Sequence, residues 1–229
     1  MSTVLIPVSC LEFLSLLKQN NNREWFALNK EAYQKELVYM EGFANALLKD
    51  LNTHDVIETS TGKKSLYRIH RDVRFSKDKT PFSIYWGGLF RRAGKQRRGG
   101  YYYHFESGGK SFVLCGFWGP SPQDLQRIRE DIAFDAGPFR RILNSPSFIS
   151  NFGNLHGEQL KTSPKGYDAG HEAIDLLRYK QFLVIRRFTD EEVLGENFLN
   201  QVDQVLKNMR PFLDYMSEVL TADVNGIAI

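Results

Sequence analysis

Arginine, aspartate and lysine recur at short, fixed intervals in the segment Arg68-Ile-His70-Arg71-Asp72-Val-Arg74-Phe75-Ser-Lys-Asp-Lys79-Thr-Pro81-Phe82. A guanidinium presents a planar fork of donors that matches phosphate or carboxylate oxygens two at a time, and a lysine adds a point charge. An aspartate among them can hold an arginine in position, or act as a base where its surroundings raise its pKa. A histidine there titrates near neutral pH. If residues 66–76 are extended, the side-chain period of two puts Arg68, His70, Asp72 and Arg74 on one face, with Ile69, Arg71, Val73 and Phe75 on the other. Such a strip suits a small anionic, phosphorylated ligand held by Arg68, His70, Arg71, Asp72, Arg74 and Lys79. The same pattern equally suits a structural network in which Asp72 pairs with Arg71 or Arg74. Arg71, set among apolar neighbours, is then the most structural of the arginines.

The charge around this segment is segregated. Residues 63–98 hold twelve Lys or Arg against two Asp, a formal +10, so the other residues sum to −7 and the chain to +3. A concentrated positive field implies an anionic partner or an internal ion-pair network. Part of it lies in the basic, glycine-rich run 91–100, which is followed by Tyr101-Tyr102-Tyr103. Cations beside exposed rings can hold single-stranded nucleic acid, which makes a nucleic-acid-binding module the second reading. Tyr102, His104 and Glu106 alternate along one strand face and could form half of a metal or acid–base site. No partner completes a metal-ligand spacing, so no metal is expected. A third stretch, 160–167, could lie over the basic face as a lid, contributing Lys161, Lys165 and Tyr167.

The segment 68–82 resembles the signature of the domain of unknown function 2461 family, which reads Arg-x-x-Arg-Asp-x-Arg-Phe-x-x-x-Lys-x-Pro-Tyr. Arg68, Arg71, Asp72, Arg74, Phe75, Lys79 and Pro81 match it, and Phe82 stands where the pattern has Tyr. The resemblance extends in character across nearly the whole chain. It implies a bacterial, cytoplasmic setting and brings no established activity with it.

Elements must position these residues. The run 9–19 has an apolar helical face, with Ser9 and Glu12 in capping-box spacing. A second helical stripe starts near Arg23, breaks around Asn29 and continues to Leu51. Residues 83–90, 101–106 and 111–118 are aromatic and β-branched and read as an antiparallel meander. Helices are expected after the breaker 119–122, over 138–143 and over 147–152, then an irregular loop over 153–170 and a strand over 181–188. A closing helix covers 196–220, and Pro211 is expected to kink or split it. The fold class is α+β, an antiparallel β-meander sheet packed by N-terminal and C-terminal helices, and the chain reads as one domain over residues 1–229. With 42% hydrophobic and 25% charged residues it has the composition of a globular protein, and no apolar run reaches the roughly 18 residues of a membrane span. The start, residues 1–7, lacks a secretion signature, and two isolated cysteines fit a reducing cytoplasm. No nucleophile elbow, phosphate-binding loop or dinucleotide fingerprint appears, and no cofactor is implied. Whether the protein is an enzyme stays open. Small-anion binding, nucleic-acid binding and a non-catalytic structural or interaction role are the three classes left.

Overall fold

A computed structural model describes residues 4–221; residues 1–3, which open the segment 1–7, and residues 222–229 at the end of the expected domain lie outside it. In chain order the elements are α1 (Val8–Gln19), α2 (Arg23–Leu28), α3 (Lys30–Leu51), α4 (Gly62–Ser65), β1 (Trp86–Arg91), β2 (Gly100–Phe105), β3 (Ser111–Phe117), α5 (Pro122–Phe134), α6 (Gly137–Leu143), α7 (Pro146–Phe152), α8 (Ile174–Leu177), β4 (Phe182–Phe188), α9 (Asp190–Leu194) and α10 (Phe198–Thr221). The strands form one open antiparallel sheet in the order β1-β2-β3-β4, so the fold is α+β. None of the helices among the described residues is long and apolar enough to cross a membrane.

Two compact units are distinguished among the described residues: 4–91, 102–113 and 187–204 in the first, and 92–101, 114–186 and 205–221 in the second. The first has its core where α1 and α3 present Leu14, Leu17, Met40, Phe43, Leu47 and Leu51, all buried. Phe43 meets the Phe105 ring edge-on at 5.5 Å and stacks on Phe198 at 5.7 Å. Tyr103 is buried as well, and its hydroxyl lies 2.8 Å from the Ser65 Oγ, which satisfies the one polar atom the ring carries inward. The second unit is built on Ile128, Ile132, Phe139, Phe182, Leu206, Met209, Phe212 and Leu213, with Phe139 stacked on Tyr215 at 4.9 Å.

Local chemistry explains most boundaries. Ser121 and Ser145 cap α5 and α7 ahead of prolines, a position where a proline's missing N–H costs nothing. Asn29 separates α2 from α3. The expected capping box at Ser9 is absent. Pro7 is the N-cap residue and gives no side-chain bond, while the Ser9 hydroxyl donates instead to Glu36 Oε2 at 2.8 Å. Pro211 sits inside α10 without splitting it; the helix tolerates the lost backbone bond because Met209, Phe212, Leu213 and Met216 around it are all buried. The turns of α4, α8 and α9 were not expected.

Gly88 is packed closely within the first unit. A Cβ at that position would collide with the Tyr103 hydroxyl and stand 2.6 Å from the Ser65 carbonyl oxygen. Gly88→Ala is therefore expected to lower stability by about 1–3 kcal/mol, the usual cost of overpacking, read as a shift in the urea midpoint at unchanged slope. A midpoint equal to that of the parent protein would show that the strand can move aside.

Candidate functional site

Residues 66–71 run antiparallel to 81–88. The bridges Leu66↔Gly88 and His70↔Phe82 join them, as do bonds from Tyr67 N–H to Gly87 O, Ser83 N–H to Ile69 O and Arg71 N–H to Pro81 O, at 2.8, 2.8 and 2.9 Å. This pairing is too sparse to make a regular strand of the run expected to be extended over 66–76; β1 begins at Trp86 rather than at 83. The alternation itself is present. Arg68, His70, Asp72 and Arg74 are exposed, Ile69 is buried, and Arg71 and Val73 are half-buried. Phe75 departs from it. The chain bends at Arg74 and Phe75, and the ring is 95% exposed instead of facing inward with Ile69.

The cations of this loop do different work. Arg71 Nη1 donates to Asp78 Oδ2 at 2.6 Å, to the Thr80 carbonyl at 3.1 Å and to the Thr80 hydroxyl, tying the two arms of the loop together. The Thr80 N–H on Asp78, followed by Arg71 and the Thr80 hydroxyl, holds the Asp78 carboxyl down at about 2. Lys79 Nζ donates to the carbonyls of Val73 and Arg74 at 3.0 and 3.3 Å. Arg74 grips Asp72 through Nε and Nη2, the shortest contact being 2.6 Å, and this bond lowers the pKa of Asp72. Bonding through Nε and Nη2 leaves the Nη1 edge of the Arg74 fork directed elsewhere. Arg68 is exposed and acts on Asp72 through space. His70 packs against Phe82 at 5.1 Å and against the edge of Phe26 at 5.8 Å. Phe82, where the family signature has Tyr, is a buried ring stacked on Phe26 at 4.1 Å.

A second cluster occupies the outer face of the sheet within the first unit. Tyr102 Oη lies 3.1 Å from His104 Nδ1, and His104 Nε2 lies 3.2 Å from Glu106 Oε2, so the three form a continuous chain. The His104 ring is sandwiched between Tyr85, at 4.1 Å, and Phe112, at 4.7 Å. Arg187 covers the Phe112 ring at 5.8 Å, completing a ladder from the approach to β1 across to β4. Gly87 permits it, because a Cβ there would stand 2.8 Å from the Tyr85 ring. The side chains of His104 and Glu106 are only 12% and 13% exposed. Burial lowers the His104 pKa against the pull of Glu106, and burial raises that of Tyr102. Tyr85, Phe112 and Arg187 were not singled out from the sequence; their contacts are cross-strand and carry no local signal. Among the described residues no group of three or more His, Cys, Asp or Glu is placed to hold a metal ion.

The remaining expected residues fall in the second unit. Arg92, in the run 91–100, is buried and bonded to Ser217 and Asp214, and Arg98 pairs with Asp124 at 2.8 Å. Two of the hairpin's cations are thus taken up by its own unit. Lys161, Lys165 and Tyr167 also belong to the second unit, whereas Arg68 to Lys79 belong to the first. The second unit has a cleft of about 400 Å³ lined by Asn144, Phe148, Gln159 and Tyr179, with the Arg140–Asp175 pair on its wall at 2.6 Å. It was not anticipated.

A family model described as a conserved hypothetical protein, DUF2461, matches residues 9–215, and the chain belongs to that family. No curated protein and no solved structure matches it.

The loop and the ladder each yield a test. Arg71→Ala removes the tie between the loop's arms, and faster proteolytic cleavage within residues 71–80 at unchanged far-ultraviolet dichroism is expected; an unchanged cleavage rate would mean that Lys79 suffices. His104 binds its proton less readily in the folded protein than in the unfolded chain, where its value is the ordinary 6.5. The unfolded state then holds more protons as the pH falls through 6.5 toward the lowered folded value, so stability is complete above 6.5 and declines below it. His104→Gln should flatten that decline in melting temperature between pH 7 and 5. An equal decline in both proteins would assign it to other groups.

Proposed function

We propose that this chain binds a small phosphorylated anion on the loop spanning residues 66–80. Arg68 and Arg74 supply the contacts, Asp72 orients Arg74, and Lys77 adds positive charge. The observation that carries this reading is the division of labour among the cations. Arg71 and Lys79 are bonded to Asp78, Thr80 and main-chain carbonyls, so they build the frame, whereas Arg68, Arg74 and Lys77 are exposed on its outside. A frame that fixes one arginine by a carboxylate on one edge of its fork pre-organises the rest of that fork for a second oxyanion. His70 stands on the same exposed face as Arg68 and Arg74.

The competing assignment of nucleic-acid binding to the hairpin 91–100 is disfavoured by the engagement of Arg92 and Arg98 with Asp214, Ser217 and Asp124. A wholly structural reading accounts for Arg71 and Lys79 but gives no reason for Arg68 and Lys77.

A thermal-shift series tests the proposal with tripolyphosphate and phosphorylated metabolites on the parent protein, Arg68→Ala and Arg74→Ala. A ligand at a hundredfold its dissociation constant should raise the parent's melting temperature by roughly 5–10 °C, and each variant should lose most of that rise while melting normally without ligand. Equal shifts in all three proteins, or none in the parent, would remove the loop as the binding site.

A further inference from the structure

Phe75 is the most exposed large apolar residue among those described, at 95%. A phenyl ring left in water forgoes roughly 1.5–3 kcal/mol of burial, and a loose surface loop would ordinarily fold it down. This loop is not loose. Lys79 Nζ holds the carbonyls of Val73 and Arg74, the Ser76 N–H bonds the Val73 carbonyl at 3.3 Å, and Arg71 clamps Asp78 and Thr80 just beyond. The bend that turns the ring outward is therefore braced on both sides. Next to it the Arg74 guanidinium, itself held by Asp72, lies 5.9 Å from the ring centroid. The result is a fixed aromatic platform with Arg68, Arg74 and Lys77 exposed on the same stretch of chain.

Inorganic phosphate has no use for such a ring, and an acidic peptide such as polyglutamate would use only the cations. A ligand carrying both an anionic phosphate and a planar base uses both. We infer that the loop binds nucleotide units, with a base stacked on Phe75 and the phosphates on Arg68, Arg74 and Lys77; this rests on the phosphate-binding reading above. Free nucleotides and single-stranded nucleic acid share this chemistry. At 95% exposure the ring is open to a chain of nucleotides as readily as to one.

Fluorescence anisotropy with a labelled oligothymidylate of about twelve nucleotides tests the inference, because stacking on one ring is the contribution that a single substitution removes. Phe75→Ala is expected to weaken binding about tenfold and Phe75→Trp to preserve it. Arg68→Ala should reduce the slope of log affinity against log salt by about 0.7, one phosphate's share on a single strand. Because Phe75 is exposed, its variants should melt like the parent. Thymidine monophosphate competing as well as the oligonucleotide at equal nucleotide concentration would identify a free nucleotide as the source, and weaker competition would identify a strand; either supports stacking if Phe75→Ala weakens it. If Phe75→Ala binds like the parent, or if tripolyphosphate competes as well as the oligonucleotide at equal phosphate, stacking is overturned while phosphate binding stands. If polyglutamate displaces the oligonucleotide better than tripolyphosphate does, an acidic protein replaces the nucleotide. If the parent binds neither oligonucleotide nor tripolyphosphate, both readings fall.

Discussion

The pleat of β2 is the constraint on which the other features depend. Along this strand Tyr101, Tyr103 and Phe105 are buried, while Tyr102 and His104 alternate with them and remain half-buried on the opposite face. Because the side-chain period is two, a slip of one residue would send His104 into the apolar core and lift Tyr103 away from Ser65. Such a slip would leave an imidazole unpaired in a dry interior, where a polar group without a partner costs several kcal/mol. The register is pinned from both sides, by the Tyr103–Ser65 bond within and by the Tyr85–His104–Phe112 stack without. The close approach of β1, with glycines at 87 and 88, follows from the bulk that β2 presents on each of its faces.

A second principle organises the positive charge. Burying an arginine is tolerable only when carboxylates and hydroxyls meet its donors, and Arg92 satisfies this with Asp214 and Ser217. Arg71 meets the same requirement at the surface with Asp78 and Thr80, and Lys79 meets it with carbonyls. Each of these cations closes a loop of its own unit. Arg68 and Lys77 stand exposed beside them in sequence, and Arg74 is tied only two residues back, to Asp72, so the basic segment resolves into a scaffold and a presented surface.

Much of this was legible from residue types. Alternating aromatics gave β2 and β3 to within a residue or so, and Asn29 announced the break between two helices. The exposed set Arg68, His70, Asp72 and Arg74 followed from periodicity alone, although the chain there is held by isolated bridges and not by a strand. What escaped depended on distant partners. Ser9 and Glu12 have the spacing of a cap, yet the Ser9 hydroxyl is claimed by Glu36, which lies 27 residues away. Phe75 has the pattern of an inward residue, but a lysine four positions on bends the main chain beneath it. Asp72 offered two arginine partners, and only geometry selects Arg74 over Arg71. The short helices α4, α8 and α9 are too brief to show any periodicity.

The turn between β2 and β3 is fastened from far away: the N–H groups of Gly108 and Gly109 donate to the Asp190 carboxylate at 2.7 and 2.9 Å, across 82 and 81 residues of chain. During synthesis this hairpin emerges long before its anchor does. The first compact unit also draws on residues 187–204, so its N-terminal helices and central strands must wait, partly assembled, while the intervening chain is made. Aromatic surface destined for the interior is exposed through that interval, and the nascent chain is then the form most in need of chaperone protection.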